Sequence, residues 1–328
     1  MRIAVFSTKS YDKDYLDRFN ADANELVYFE APLNINTSNL TQGYKGVCVF
    51  VNDKLDEATI NAIARNGIKL IVLRCAGFNN VNLEAAKRNN IAVLRVPAYS
   101  PHAVAEHAVA LMLTLARKTH KAYNRVRENN FSLERLNGFN IHGKTVGVVG
   151  TGKIGMAFCK IMLGFGAKVL AYDIVKNDEL ISSGVVYSTP EELVKRSDII
   201  SLHCPLTPET RYMVNKDTIQ SMKKGVMLIN TSRGALINTK DVLVALKQGK
   251  IGYLGIDVYE QEEKLFFNDL SESIQEDELI ARLISFPNVL ITAHQGFFTN
   301  EALEQIASTT INNIRSFEKG LPSGNEVI

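Results

Sequence analysis

The chain of 328 residues is long enough for two domains of ordinary size. Hydrophobic residues make up 46% of it and charged residues 22%, a composition typical of a soluble globular protein. The formal net charge of +2 is spread along the chain and gives no reason to expect nucleic acid or an anionic membrane as a partner.

Neither cysteine spacing nor hydropathy indicates a metal site or a targeting segment. The four cysteines form no CxxC pair, which predicts reduced thiols and neither a zinc site nor a disulfide framework. The N-terminal apolar run is too short for a signal peptide, and no segment reaches the roughly 18 apolar residues of a membrane span. We therefore expect a cytoplasmic protein that holds no metal.

The first hundred residues alternate strand-like and helical patterns, which predicts βα repeats around a parallel sheet. The predicted strands are residues 3–6, 26–29, 47–51, 70–73 and 91–94. Pro97 and Pro101 end this alternation, and one long helical pattern follows over residues 102–128. A helix of that length suits a crossing between two domains or a subunit interface.

A second alternation begins at Thr145 and predicts a second parallel sheet. Its six predicted strands are residues 146–149, 169–172, 199–202, 226–229, 253–256 and 289–291. The last helix, residues 300–318, follows no further strand, so we expect it to cover the first domain. This order predicts a discontinuous substrate domain, residues 1–98 and 299–328, with a nucleotide-binding domain of residues 99–298 inserted into it. The two crossings would form a hinge, and a cleft between the lobes would exclude water on closure.

The second alternation opens with the glycine pattern Gly150-x-Gly152-x-x-Gly155 between a predicted strand and a predicted helix. Such a turn lets the backbone bend tightly and approach a pyrophosphate at the helix N-terminus, and its last glycine lets the helix pack on the sheet. Asp173 ends the next strand, where its carboxylate would bind a ribose diol and repel a 2′-phosphate. The sequence therefore predicts a site for NAD rather than NADP.

Three chemically useful side chains follow later strands of this sheet, at the edge where ligands bind in open parallel sheets. Arg233 follows the strand at 226–229, Glu262 the strand at 253–256, and His294 the strand at 289–291. An imidazole takes and gives a proton near neutral pH, a carboxylate would hold its other ring nitrogen, and a guanidinium suits a substrate carboxylate. The set predicts hydride exchange between a nicotinamide and an alcohol or ketone.

Each of these residues also has a purely structural interpretation. A histidine after a strand is often only a packed residue, Arg233 could contact a phosphate, and Glu262 is one of several acids in its segment. We expect His203 to pack or to contact the cofactor. The remaining histidines lie on or beside helical patterns and carry no comparable argument for a functional role; they are His102, His107, His120 and His142.

Several motifs together carry a resemblance to a known family. They are the Gly150 loop and residues 74–80, 96–101, 103–107, 203–208, 230–234, 255–260 and 293–295. On these segments the chain resembles the D-isomer-specific 2-hydroxyacid dehydrogenases along essentially its whole length, and within them the NAD-dependent, lactate-forming members. The resemblance implies an α/β protein with a Rossmann-type doubly wound sheet inserted into a smaller flavodoxin-like substrate domain.

The resemblance also implies the reaction, reversible reduction of pyruvate to D-lactate by NADH. It implies that His294 is the proton donor, that Glu262 supports it, and that Arg233 binds the substrate carboxylate. The backbone at Ala76 and Gly77 and the side chain of Tyr99 would bind the substrate as well. Family members pair through the nucleotide domain, so we expect a homodimer or a homotetramer.

The resemblance assigns the contacts to NAD as well, many of them through backbone atoms. Thr210 stands where some relatives have asparagine, which leaves its role open. The cofactor set is Gly150, Gly152, Lys153, Ile154, Gly155, Asp173, Cys204, Pro205, Thr210, Thr231, Ser232 and Asp257.

Two alternatives stay open. A bulkier 2-keto acid would suit a pocket with aromatic walls, for which Tyr99, Phe267, Phe297 and Phe298 are the candidates. An NAD-sensing regulatory protein would use the same cleft only for binding, and it would be expected to carry a partner-binding surface or extra terminal segments. The sequence shows no obvious feature of that kind.

Overall fold

The computed structural model describes residues 1–262 and 265–328, and their contacts divide the chain into two units. Unit 1 comprises Met1–Ser100 and Phe297–Ile328, and unit 2 comprises Pro101–Gly296. The predicted substrate and nucleotide domains, with boundaries at residues 98 and 298, stay a prediction, because these contacts define units and not their functions.

Unit 1 is built on a parallel sheet with the strand order β2-β1-β3-β4-β5. Its strands are β1 (Arg2–Val5), β2 (Glu25–Tyr28), β3 (Gly46–Val49), β4 (Leu70–Leu73) and β5 (Ala92–Leu94). Two of the three inner strands, β3 and β4, are apolar and buried along their full length, as expected for strands covered on both faces. This order is the flavodoxin-like one and confirms the predicted fold of the smaller sheet.

Helices cover both faces of the unit 1 sheet. They are α1 (Ser10–Asn20), α2 (Glu57–Arg65), α3 (Leu83–Arg88) and the C-terminal α12 (Asn300–Glu318). Helix α12 begins at Thr299, whose side chain accepts a hydrogen bond from the Ala302 N–H and so caps the helix. Its buried face packs against α1 and β4, which confirms that this helix returns to the first part of the chain.

Unit 2 is built on a larger parallel sheet with the strand order β12-β11-β10-β9-β6-β7-β8. Its strands are β6 (Thr145–Val149), β7 (Lys168–Tyr172), β8 (Val186–Tyr187), β9 (Ile199–Leu202), β10 (Val226–Asn230), β11 (Ile251–Ile256) and β12 (Val289–Ile291). The order reverses between β6 and β9, which is the switch point of a Rossmann-type sheet and confirms that prediction. Six predicted strands were one too few, because β8 at the sheet edge has only two residues and leaves no pattern in the sequence.

The long helix predicted over residues 102–128 is wrong, because two helices occupy this stretch: α4 (Pro101–Arg117) and α5 (Thr119–Arg127). Lys118 between them has φ 53° and ψ 34°, a left-handed conformation that ends the α-helical hydrogen-bond ladder. The Ala116 carbonyl accepts instead from the N–H of Phe139, 23 residues later in the chain. A tertiary contact thus takes the hydrogen bond that a continuous helix would need.

The other helices of unit 2 connect its parallel strands. They are α6 (Lys153–Gly164), α7 (Asp178–Ser182), α8 (Pro190–Arg196), α9 (Lys216–Ser221), α10 (Thr239–Lys247) and α11 (Glu278–Ser285). All but α6 begin at a residue whose side chain accepts a hydrogen bond from the first turn. In the described part of the chain, no helix has both the length and the apolar composition that a membrane span requires.

Candidate active site

The turn between β6 and α6 needs two of its glycines for steric reasons. Gly150 has φ +92°, and a side chain there would reach within 2.7 Å of the backbone at His203 and Cys204. A Cβ on Gly155 would lie 1.9 Å from the Gly150 carbonyl oxygen. Gly152 differs, because a Cβ there would meet no atom within 4 Å. The first and last glycines therefore shape the turn, and the middle one faces open space.

That open space lies at the N-terminus of α6. Gly152 is the residue before the helix, it makes no side-chain capping bond, and Lys153 and Ile154 begin the first turn. The first amides of a helix carry N–H groups without helical partners and a partial positive charge, which together bind anions. The uncapped N-terminus of α6 and the open space at Gly152 fit the pyrophosphate of a dinucleotide.

Asp173 lies at the end of β7 beside this turn. Its Oδ2 accepts hydrogen bonds from the Thr151 N–H at 2.5 Å and from the Thr151 hydroxyl at 3.1 Å. The Tyr187 hydroxyl donates to Thr151 Oγ1 at 2.9 Å, so the carboxylate is held through a short network. Tyr187 lies on β8, the strand that the sequence missed. A carboxylate fixed at this place fits a ribose diol and disfavours a 2′-phosphate.

The loops after β9 and β10 lie against each other, since the Ser232 hydroxyl donates to the Cys204 carbonyl at 2.6 Å. Burial raises the pKa of the Cys204 thiol to about 11, so the side chain is neutral. Thr210 shapes the first loop by donating to the Pro205 carbonyl at 2.8 Å. Neither Cys204 nor Thr210 therefore supplies a charge to the site.

Two buried polar atoms in these loops have no hydrogen-bond partner among the described residues, namely His203 Nδ1 and Thr231 Oγ1. Burial lowers the pKa of His203 to about 3, so its imidazole is neutral at physiological pH and cannot act as an acid there. Buried polar atoms are normally paired. Orphaned atoms beside the glycine turn fit a bound polar group, as expected for a cofactor site.

Arg233 follows β10 on a loop whose position depends on Gly234. A Cβ on Gly234 would lie 2.0 Å from the Tyr259 carbonyl carbon, so this loop runs directly against the backbone after β11. The guanidinium donates to the Ser232 carbonyl at 2.7 Å from one nitrogen, Nη1. Its planar group has further N–H donors that suit a carboxylate.

The structure brings His294 and Glu262 into direct contact. His294 Nδ1 lies 2.8 Å from Glu262 Oε1, and the other carboxylate oxygen accepts from the Tyr259 N–H at 2.9 Å. The two side chains are 18% and 22% exposed, so both are largely shielded yet reachable. Because the carboxylate accepts from Nδ1, the exchangeable position of the ring is Nε2. The Phe267 ring lies 6.0 Å from the imidazole and covers it partly.

His294 itself has φ 53°, a left-handed conformation that costs a non-glycine residue on the order of 1–3 kcal/mol. Three successive amides of this turn donate to Asp257: His294 to the backbone carbonyl at 2.8 Å, and the next two to the carboxylate at 2.9 and 2.8 Å. Burial raises the pKa of Asp257, but hydrogen bonds from His107, Thr292 and the Gln295 amide outweigh it and keep the pKa below its usual range. An ionised Asp257 therefore anchors the turn, a role that the sequence did not indicate.

The remaining predicted residues belong to unit 1. Ala76 and Gly77 follow β4, and the Ala76 carbonyl accepts from Arg95 at 2.8 Å. Tyr99 stacks edge-on against Phe297 at 6.3 Å. Arg74, only 1% exposed, donates to the carbonyls of Phe6 and Ser7 at 2.9 and 2.7 Å and thereby joins the loops after β1 and β4. In the sequence Arg74 stands out only as part of a motif, because its hydrogen-bond partners are more than 60 residues away along the chain.

Known proteins similar to this chain include D-lactate dehydrogenases and other proteins named as 2-hydroxyacid dehydrogenases. Residues 109–296 match the model of the D-isomer specific 2-hydroxyacid dehydrogenase, NAD binding domain. The D-lactate dehydrogenase of Escherichia coli is 49% identical over 100% of both chains, and its apo-structure superposes with a TM-score of 0.92. A structure of the pyruvate reductase of Chlamydomonas reinhardtii is 46% identical, covers 99% of this chain and 98% of its own, and has a TM-score of 0.94.

One of the similar structures was determined with NAD and lactic acid bound. The D-lactate dehydrogenase of Aquifex aeolicus, complexed with NAD and lactic acid, is 36% identical. It covers 99% of this chain and 98% of its own, with a TM-score of 0.89. The family model and this complex agree with the fit of the glycine turn and Asp173 to NAD.

Proposed function

The chain belongs to the D-isomer specific 2-hydroxyacid dehydrogenases, and from this membership we propose that it reduces pyruvate to D-lactate with NADH, reversibly. It is an NAD-dependent D-2-hydroxyacid dehydrogenase; the choice of pyruvate and the hand of the product are the proposal. Full-length similarity to a D-lactate dehydrogenase and to a pyruvate reductase supports both choices.

NADH, when bound, supplies the hydride that reduces C2 of the keto acid. Arg233 binds the substrate carboxylate through paired N–H donors, which orients the keto group. His294 Nε2 donates the proton that the carbonyl oxygen gains, and it takes the proton back in the reverse direction. Glu262 stabilises the imidazolium and keeps the ring in the orientation that presents Nε2.

The contact between His294 Nδ1 and Glu262 at 2.8 Å is the observation that carries this proposal. The Tyr259 amide donates to the other carboxylate oxygen, so both oxygens of Glu262 have hydrogen-bond partners. A histidine oriented by a carboxylate, at the same sheet edge as a turn that fits a dinucleotide, supplies the acid and base that reversible ketone reduction needs.

The residues that would contact NAD and substrate extend this proposal. For unit 1 we propose that the backbone at Ala76 and Gly77 and the ring of Tyr99 contact the substrate, as the resemblance implies. For unit 2, backbone and side-chain contacts to NAD come from Gly150, Gly152, Lys153, Ile154, Gly155, Asp173, Cys204, Pro205, Thr210, Thr231, Ser232 and Asp257.

A bulkier 2-keto acid is the second candidate, and an aromatic cluster in unit 1 favours it. Phe297 lies 5.9 Å from Phe50, 6.3 Å from Tyr99 and 6.0 Å from Phe298, measured between ring centroids. The values of kcat/KM for pyruvate, 2-ketoisocaproate and phenylpyruvate separate the two candidates. We expect pyruvate to be preferred at least about tenfold, because the pocket must accommodate a whole isopropyl or phenyl group in the other two acids and a single methylene already changes discrimination by roughly 1–3 kcal/mol. A preference for phenylpyruvate would overturn the choice of pyruvate.

Self-association is part of the proposal as well. Helix α5 and the loop after it expose Tyr123, Val126, Phe131 and Leu133 by 63%, 50%, 71% and 82%. Such a concentration of exposed large apolar side chains indicates an interaction surface, and a second copy of the chain is the occupant that the resemblance implies. Sedimentation of the protein should give a dimer or tetramer, and Leu133→Asp with Phe131→Asp should shift it toward the monomer. A monomeric wild type would contradict this.

A further inference from the structure

His107, on the second turn of α4, reaches the residues that anchor the His294 turn. Its Nε2 lies 2.9 Å from Thr292 Oγ1 and 3.2 Å from Asp257 Oδ1. Thr292 Oγ1 and Asp257 Oδ1 are 2.5 Å apart. These three side chains form one cluster, and all of them belong to unit 2.

The direction of the hydrogen bonds in this cluster follows from its proton count. Asp257 is ionised, so its oxygens only accept, and the single hydroxyl proton of Thr292 points to Oδ1. The Thr292 oxygen must then accept from His107. The Nε2 of His107 therefore carries a proton and donates to Thr292 and Asp257 together.

The cluster also touches the turn sterically. A Cβ built on Gly296 would lie 3.0 Å from Asp257 Oδ2 and 3.5 Å from His107 Cδ2, so residue 296 fits closely between the two side chains. The amides of Gln295 and Gly296 donate to the same carboxylate. Rotation of Asp257 would break both bonds and free the backbone at His294.

We propose that His107 is a positioning residue, whose Nε2–H holds Thr292 and Asp257 in the arrangement that keeps the His294 turn in its left-handed conformation. This inference rests on the proposed function, in which His294 donates the proton. His107 itself touches neither substrate nor reacting atoms in this account. It acts on kcat through the orientation of His294 relative to Glu262.

The test compares His107→Gln, which keeps an N–H donor at about the reach of Nε2, with His107→Leu, which removes it. His142→Leu is the matched control, because His142 is an exposed histidine beside the opposite, N-terminal edge of the sheet. NADH oxidation with pyruvate is measured, and kcat is expressed per NADH-binding site so that misfolded protein does not count.

We expect His107→Leu to lower kcat per site about 10- to 100-fold while KM for pyruvate stays within about threefold, because a misplaced general acid slows chemistry more than binding. His107→Gln should recover kcat to within about fivefold of wild type, and His142→Leu should equal wild type. If His107→Leu does not fold, Thr292→Val against Thr292→Ser repeats the comparison, with serine expected to preserve kcat.

Wild-type kcat per site in His107→Leu would overturn the inference, as would a glutamine variant no better than leucine. A purely structural role would reduce the number of binding sites and leave kcat per site unchanged. Failure of the proposed function is a different result: the wild type itself would then not turn over pyruvate.

Discussion

The Gly150 turn and the His294 turn both bend the backbone through a left-handed conformation, and they do so by different means. Gly150 has φ +92° and no side chain, so its conformation costs little and needs no outside support. His294 has φ 53° and must keep its imidazole, so Asp257 holds the turn with three hydrogen bonds. The conformation of the Gly150 turn therefore depends on its own residues, whereas the His294 turn depends on hydrogen bonds to Asp257, which lies far from it along the chain.

Removal of the imidazole from the His294 turn has the largest expected effect. His294→Ala should lower kcat about 10²- to 10⁴-fold, the usual contribution of a general acid, while NADH affinity changes by less than about threefold. Steady-state kinetics and a fluorescence titration with NADH measure the two quantities. Near-normal turnover would show that another group donates the proton.

Crowding of the glycine turn should affect binding and stability. Gly155→Ala places a methyl group 1.9 Å from the Gly150 carbonyl, so the turn must shift, and we expect a loss of about 3 kcal/mol in unfolding free energy together with weaker NADH binding. Gly164→Ala in the same helix meets no neighbouring atom and serves as control. Urea denaturation compares them, and equal stability of the two variants would contradict the steric account.

Removal of the Glu262 charge tests the role of the carboxylate beside His294, because glutamine has nearly the same shape as glutamate. Glu262→Gln should lower kcat for pyruvate reduction about 10- to 100-fold, because a neutral amide does not stabilise the imidazolium. Steady-state kinetics of the variant and the wild type at one fixed pH measure this, and an unchanged kcat would exclude Glu262 as the partner of the acid.

The cofactor preference of the glycine turn rests on Asp173. Asp173→Ala should reduce the preference for NADH over NADPH at least about tenfold, since the repulsion of a 2′-phosphate and the ribose hydrogen bonds are lost together. The ratio of kcat/KM for the two cofactors measures it. An unchanged ratio would mean that discrimination lies elsewhere.

Low pH should destabilise the His294 turn by protonating Asp257. The pKa of Asp257 is lower in the folded protein than in the unfolded chain, so its stabilisation is complete above about pH 4 and is lost as pH falls through the lowered value. The stability difference between wild type and Asp257→Asn should therefore be constant from about pH 7 to 5 and shrink below pH 4. A difference that persists unchanged at pH 3 would contradict an ionised anchor.

The contrast between the turns explains what the sequence could predict. The glycine turn was predictable, because Gly150 and Gly155 stand where a side chain would collide with the backbone. His294 and Glu262 were predictable as residues after parallel strands, since such strands end at one edge of the sheet. The bounds of α12 were predictable from its continuous helical pattern, because packing in unit 1 does not interrupt the helix.

The features that the sequence missed all depend on partners far along the chain. The predicted long helix is interrupted at Lys118, where the Ala116 carbonyl accepts a hydrogen bond from the Phe139 N–H. The link of His107 to Asp257 joins residues 150 positions apart, and no local pattern marks His107 as different from His102 or His142. Strand β8 has two residues and is defined by its pairing with β7 at the edge of the sheet.

The most direct test of the central account is NADH oxidation by the wild-type protein with pyruvate, followed by chiral analysis of the lactate formed. We expect one D-lactate to form for each NADH consumed, because each turnover transfers one hydride. Formation of L-lactate, or no consumption of NADH with pyruvate, would contradict it.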